Sequence, residues 1–191
     1  SNLYDNTLIV CDFKTGHFWT VTDQTMAPVH AESQVTVNGY YNKLPWGISA
    51  TPSIKRSLTN GVSRIYYAPV ASFGLYTVPT DLLWNPATIY NHSDFDLVGY
   101  RGCYSQSFFQ NIHSPANVMF IQQMLANEIR CWNVDHHLNS DNVGVIFQGE
   151  NDARVSDMTI DTDEFLWFFS GQFFNTYASD NPITIHKINT R

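Results

Sequence analysis

Charge is scarce in this chain of 191 residues: 14% of positions are Asp, Glu, Lys or Arg, against about a quarter in most soluble domains. Basic residues are scarcest, 10 against 17 acidic ones, which leaves a formal net charge of −7. Lys55-Arg56 is the longest basic cluster. A nucleic-acid binder needs clustered cations to neutralise phosphate, so that class is excluded. No apolar run approaches the roughly 20 residues needed to cross a bilayer, so direct membrane insertion is not expected. The opening Ser1-Asn2-Leu3-Tyr4-Asp5 lacks the basic segment and apolar stretch of a signal peptide. Both ends read as processing boundaries, Arg191 being the residue that trypsin-like cleavage leaves. Cysteine is also sparse. Cys11, Cys103 and Cys131 form no Cys-x-x-Cys pair, which argues against a zinc knuckle or a thioredoxin-type site. Their odd number argues against a disulfide framework, leaves one bridge open, and favours buried free thiols.

Apolar residues, by contrast, reach 43%, which excludes intrinsic disorder and supports one domain over residues 1–191. Aromatic residues make up 15%, with 13 Phe, 10 Tyr and 5 Trp, more than a core of this size needs. Some rings are therefore expected to face solvent or a ligand.

Strand chemistry dominates the chain, with β-branched and aromatic runs punctuated by turn residues. Thr7 to Phe13 and His17 to Thr22 flank Lys14-Thr15-Gly16 and read as a hairpin. Asn38-Gly39 predicts a second hairpin, between Gln34 to Val37 and Tyr40-Tyr41. Asn60-Gly61 predicts a third, between Ser53 to Thr59 and Val62 to Tyr67. Asn-Gly suits a type I′ turn because both residues tolerate positive φ. Further strands are expected at Phe73 to Val78, Thr88 to Tyr90, Leu97 to Arg101, Val143 to Gln148, Val155 to Ile160, Glu164 to Ser170 and Ile183 to Ile188. Gly149 to Ala153 reads as a polar hairpin loop. No repeat of 20 to 50 residues is visible, which argues against a propeller or solenoid.

One segment breaks this pattern. Ser114-Pro115 resembles a helix start, and Val118, Ile121, Leu125, Ile129 and Trp132 follow at helical spacing. Phe120 and Met124 widen that stripe, so the helix should be buried on more than one side. The expected fold class is α+β, mostly antiparallel β-sheet wrapped around one long helix over about 114–130.

Catalytic signals are thin. The nucleophile elbow G-x-S-x-G is absent, Gly47-Ile48-Ser49-Ala50 lacking its second glycine. Cys131 near His136 and His137 is an imaginable pair, but histidines at a helix end have an ordinary electrostatic explanation. The same two histidines lack metal-ligand spacing, so no metal is expected. Asp157, Asp161, Asp163 and Glu164 form an acidic cluster without the glycine of a calcium loop, and a polar hairpin turn is the default. Asn91-His92-Ser93 is a sequon expected once by chance. The stretches Asn38 to Trp46 (NGYYNKLPW) and Tyr100 to Ser107 (YRGCYSQS) mix aromatic faces with amide, hydroxyl and guanidinium groups beside turns. That mixture suits sugar recognition, and equally a pair of rings packing across a hairpin.

Phe18-Trp19-Thr20-Val21 and Ile183-Thr184-Ile185-His186, with a β-rich chain ending at Arg191, give a resemblance to the tryptic N-terminal head of the rotavirus outer-capsid spike protein, group B type. The chain departs from galectins, since it has no H-x-N-P-R run, so a galectin-like fold is not expected. The resemblance implies a non-enzymatic viral attachment lectin on the virion surface, made in the host cytoplasm. Its implied partners are galactose-containing host-cell glycans and the remainder of the spike protein. The site expected from the two mixed stretches, not from the resemblance, is Tyr40, Tyr41, Trp46, Arg101 and Tyr104, without a cofactor. The alternatives are a glycan-directed hydrolase using carboxylates such as Asp94, Asp96, Asp161 or Glu164, and a structural capsid module whose exposed aromatics meet another chain.

Overall fold

The computed structural model describes residues 6–37, 40–44, 47–50, 55–56, 62–149, 153–172 and 183–190. The chain opens with a hairpin of β1 (Leu8–Asp12) and β2 (His17–Val21), in register from Leu8 opposite Val21 to Asp12 opposite His17. Its turn is closed by the Asp12 carboxylate, which accepts from the Lys14 N–H and the Thr15 hydroxyl, and by Gly16 at φ +72°. A second hairpin joins β3 (Gln34–Val37) to β4 (Tyr40–Lys43). The Asn38-Gly39 expected to turn it lies outside the described residues, as does Asn60-Gly61.

Three larger antiparallel sheets follow in chain order. The first contains β5 (Ile48–Ala50), β6 (Lys55–Arg56), β7 (Ser63–Pro69), β8 (Gly74–Pro79) and β9 (Asp96–Tyr100), in the order β5-β7-β8-β9 with β6 also on β7. The second is the meander β10 (Gln110–His113), β11 (Val118–Gln123), β12 (Glu128–Asn133) and β13 (Val143–Gln148). The third contains β14 (Ala153–Ile160), β15 (Phe165–Gln172) and β16 (Thr184–Asn189). Each sheet is finished before the next begins, the organisation of propeller blades and the opposite of what the missing repeat implied. The repeat is invisible in sequence because the connections differ so much. Residues 124–127 join β11 to β12, whereas residues 80–95 join β8 to β9.

The long helix is not there. Among the described residues the one α-helix is the single turn Thr80–Leu83. Ser114–Ala116 forms one 3₁₀ turn ended by Asn117 at φ +55°, and the rest of the expected helix is the β11–β12 hairpin. From Met119 to Gln123 every residue of β11 is buried. A strand covered on both faces loses the apolar–polar alternation that marks a half-buried one, and its run then fits a helical template equally well. The α+β assignment falls with the helix, leaving an almost wholly β architecture. One smaller expectation also fails. Thr88 to Tyr90 pairs with no strand, although the Tyr90 ring packs against Phe95. The loop expected over Gly149 to Ala153 falls on residues 150–152, which lie outside the described residues, and the flanking β13 and β14 belong to different sheets.

Alternation instead feeds separate cores on the two faces of each sheet. On β7, Tyr67 joins Leu8, Val21, Met26 and Val78 beneath the first hairpin, while its neighbour Tyr66 joins Ile112, Met119, Ile121 and Trp132 on the other side. On β11, Met119 and Ile121 face that second core, and Phe120 faces a third with Ile129, Val155, Leu166 and Phe168. The β3–β4 hairpin is pinned by Val35 and Leu44 against Ala71 and Met124. Each intersheet joint is therefore filled by side chains from both sheets, at roughly 1.5–3 kcal/mol for each large apolar residue buried.

Candidate functional site

The five expected ligand-binding residues do not form one surface. Tyr41 and Tyr104 are exposed, Tyr104 with a left-handed backbone at φ +61°. Arg101 is buried, 3% exposed. Among the described residues no hydrogen bond or ring contact links these three. Tyr40 contributes its backbone to β4 opposite Val37, and Trp46 lies outside the described residues. The four candidate carboxylates split into two places. Asp94 accepts from the Asn91 N–H at 2.8 Å and caps a 3₁₀ turn, and Asp96 pairs with Arg64. Asp161 and Glu164 bracket the β14–β15 turn. His136 and His137 follow the end of β12 rather than a helix, so the helix-end explanation for them is void.

That β14–β15 turn forms one wall of a cleft of about 410 Å³, within the size range of small-ligand sites. The opposite wall is the end of β10 and the following 3₁₀ turn, from Asn111 to Pro115. Ile112, Ile160 and Pro115 give the cleft apolar lining, and Thr159, Thr162, Ser114 and Asn111 give it polar lining. Asp161 is locked in place. Its Oδ1 accepts from the N–H groups of Phe165 and Asp163, each at 2.9 Å, and its Oδ2 accepts from the Trp167 indole at 2.6 Å. The Phe165 and Trp167 bonds, with a smaller contribution from Lys187, hold this carboxyl below the usual range against a small opposing desolvation. Glu164 stands beside it with φ +65°, a conformation rarely adopted by a residue with a side chain.

His113 lines the same cleft at the end of β10. It is 5% exposed, and neither ring nitrogen has a hydrogen-bond partner among the described residues. Buried polar atoms are nearly always paired, so two idle nitrogens on one ring mark a place where a bond is waiting to be made. The sequence reading missed His113 because it fell just ahead of the supposed helix start. The acidic cluster beside it was correctly read as a hairpin turn, but a single strand carries no sign of which turn will face it.

Similarity to known proteins gives a different picture from the sequence strings. Residues 2–191 match the family model described as major royal jelly protein. Yellow-related salivary protein SP03 of Phlebotomus perniciosus is 31% identical over 170 residues, covering 89% of this chain and 42% of that protein. Protein M35 of Phlebotomus duboscqi is 29% identical over 195 residues, covering 100% and 48%. LJM111 of Lutzomyia longipalpis, also yellow-related and salivary, is 26% identical over 170 residues. The chain thus spans less than half the length of these relatives. A solved structure of virginiamycin B lyase from Staphylococcus aureus superposes with a TM-score of 0.41 at 14% identity, covering 95% of this chain and 55% of that one. These matches overturn the rotavirus resemblance, whose two tetrapeptides carried too little information to identify a family. The viral attachment role, the virion location and the partners drawn from that resemblance, host glycans and the rest of a spike, fall with it.

Proposed function

The chain belongs to the major royal jelly protein family, and from that premise we propose that it is the ligand-holding part of a secreted salivary binding protein, acting without chemical turnover. The ligand class is a small organic amine with an apolar body, held in the cleft between β10 and the β14–β15 turn. The observation that carries this reading is His113, buried in that cleft with both ring nitrogens unpartnered, opposite a turn bearing Asp161 and Glu164. An ammonium group is attracted to the two carboxylates, an apolar body is covered by Ile112, Ile160 and Pro115, and a ligand polar group reaches His113. The chain's charge of −7 adds a favourable long-range field for a cation.

The same bonds support a reading without turnover. Nucleophilic catalysis needs a hydroxyl or thiol in contact with a base, and His113 touches none among the described residues. General-base work needs a carboxylate of suitable basicity, and the three N–H donors to Asp161 make it less basic. Asp94 and Asp96 are engaged elsewhere, in a turn cap and an ion pair.

Calorimetric titration with phenethylamine and with its neutral analogue phenethyl alcohol tests the reading. Saturable binding of the amine, weaker binding of the alcohol, and loss of the difference in Glu164→Gln are expected. Mass spectrometry of the recovered amine should show it unchanged. Equal affinity for amine and alcohol would remove the carboxylates from the argument, and a modified product would make the protein an enzyme.

A further inference from the structure

A second polar centre lies at the other end of the same strands. Arg154, at the start of β14, donates to the carbonyls of Met124 and Leu125 in the β11–β12 turn, and the Met124 N–H donates to the Gln106 carbonyl. Beneath this turn sits Arg101, the residue after β9. Its N–H donates to the Phe73 carbonyl at 2.9 Å and its Nη2 to the Ser72 carbonyl at 2.7 Å, but Nε and Nη1 donate to nothing. Glu32, the acid whose charge acts on this guanidinium, accepts from the Phe73 N–H at 2.6 Å and forms no ion pair with it. Burial pushes the Arg101 guanidinium down to about 10, with Glu32 and Tyr76 opposing that change.

Residues linked to Arg101, directly through Gln123 or by way of Glu32 through Gln106, carry idle acceptors. The Ser105 hydroxyl and the side-chain carbonyls of Gln106 and Gln123 have no partner, although the three residues are 0%, 2% and 1% exposed. The amides are oriented by their other ends: Gln106 Nε2 donates to the Glu32 carbonyl at 2.7 Å and Gln123 Nε2 to the Arg101 carbonyl at 3.3 Å. A buried cation left with unused donors is strongly destabilising unless something completes its bonding. The segment over it is also under conformational strain. Gly102 has φ +101° and Tyr104 φ +61° within three residues, and an added Cβ at Gly102 would meet only Arg130 Nη1 at 4.0 Å. The glycine therefore serves the backbone path and not a tight fit. Strained backbone of this kind concentrates at ligand clamps.

We propose that Arg101, Ser105, Gln106 and Gln123 form a second binding site, for a small carboxylic acid that also carries a hydroxyl or amino group. The acid's oxygens accept from Arg101 Nε–H and Nη1–H. Its hydroxyl or ammonium hydrogens donate to the Gln106 and Gln123 carbonyls, and Ser105 adapts as donor or acceptor. A simple halide supplies charge but no donors, so it satisfies half of the site. The segment 102–104 is the cover that must lift for entry. This site is independent of the amine cleft, which lies at the far end of β10 and β14.

Thermal unfolding of the intact protein with sodium L-lactate, glycine, sodium acetate and sodium chloride at equal ionic strength tests it. Lactate or glycine should raise the melting temperature saturably, by about 5–10 °C at a hundredfold excess over Kd, and acetate and chloride, which bring charge but no donors, clearly less. Arg101→Met removes an unpaired buried charge, so it should be no less stable than the parent without ligand and should show no ligand shift. Ser105→Ala deletes a hydroxyl that bonds to nothing, so it should fold normally and weaken lactate binding several-fold. Equal shifts with all four solutes, a lactate shift retained in Arg101→Met, or a Ser105→Ala protein with unaltered lactate affinity would each overturn the site. If Arg101→Met fails to fold by circular dichroism, Ser105→Ala decides alone. A flat response of the parent to lactate and glycine would overturn the site as well, and would leave the amine reading untouched.

Discussion

Trp132 sits where two sheets meet, and its removal tests the whole assignment of the β11–β12 hairpin. The side chain is 2% exposed, its ring meets Tyr66 of the preceding sheet edge-on at 6.3 Å, and its indole N–H donates to the His136 carbonyl at 3.1 Å. Replacement by alanine removes the buried ring and leaves a cavity, at about 3–5 kcal/mol for a large aromatic residue. The orphaned His136 carbonyl adds about 1 kcal/mol. Against a typical total stability of about 5–15 kcal/mol, Trp132→Ala should leave the protein marginal. Trp132→Phe keeps an edge-on ring but loses the indole bond, and should cost about 1–2 kcal/mol. Val145→Ala, at an exposed position of β13, should change stability by less than about 0.5 kcal/mol. Urea unfolding followed by circular dichroism reads all three. With a slope of about 2 kcal/mol per molar, Trp132→Ala should lower the midpoint by about 2 M. A loss under about 1 kcal/mol, or equal losses for the alanine and phenylalanine variants, would refute the packing described for this joint.

Gly99→Ala should destabilise by about 1–3 kcal/mol, because an added Cβ would lie 2.6 Å from the Leu138 carbonyl oxygen where β9 bridges the connection between β12 and β13; thermal unfolding checks it. Asp161, whose folded pKa is depressed, contributes stability that is fully present above its unfolded value of about 3.9 and is lost as pH falls through the lower folded value. Asp161→Asn should therefore flatten the acid limb of the stability profile below about pH 4 and speed amide exchange at Asp163 and Phe165, as measured by hydrogen exchange. Glu164→Gly should match or exceed the parent in melting temperature, since glycine adopts φ +65° without strain, while amine binding in the cleft weakens; a large loss of stability would show that the side chain is held for structural reasons instead.

Several features needed nothing beyond local chemistry. The first hairpin follows from alternating Leu8 to Asp12 and His17 to Val21 around a glycine turn. The β3–β4 hairpin follows from β-rich runs on either side of Asn-Gly, and the strands at 143–148, 165–172 and 184–189 from their aromatic and β-branched runs. These conclusions depend on neighbours in the chain, so the sequence holds all their causes.

The sheet-by-sheet stacking, the status of residues 114–130 and the cleft were settled elsewhere. Met119 to Gln123 are buried on both faces because sheets cover them from two sides, and a run buried on both faces carries no period by which strand and helix could be told apart. His113 and Glu164 are 51 positions apart in the sequence and gain meaning only when β10 and β14 lie side by side. Arg101 looked like a surface ligand group beside two tyrosines, and became an interior one because the chain before and after it closes over its guanidinium. Local propensity is a property of a few adjacent residues. Burial and convergence depend on what arrives from elsewhere, and that is the contribution of the tertiary structure.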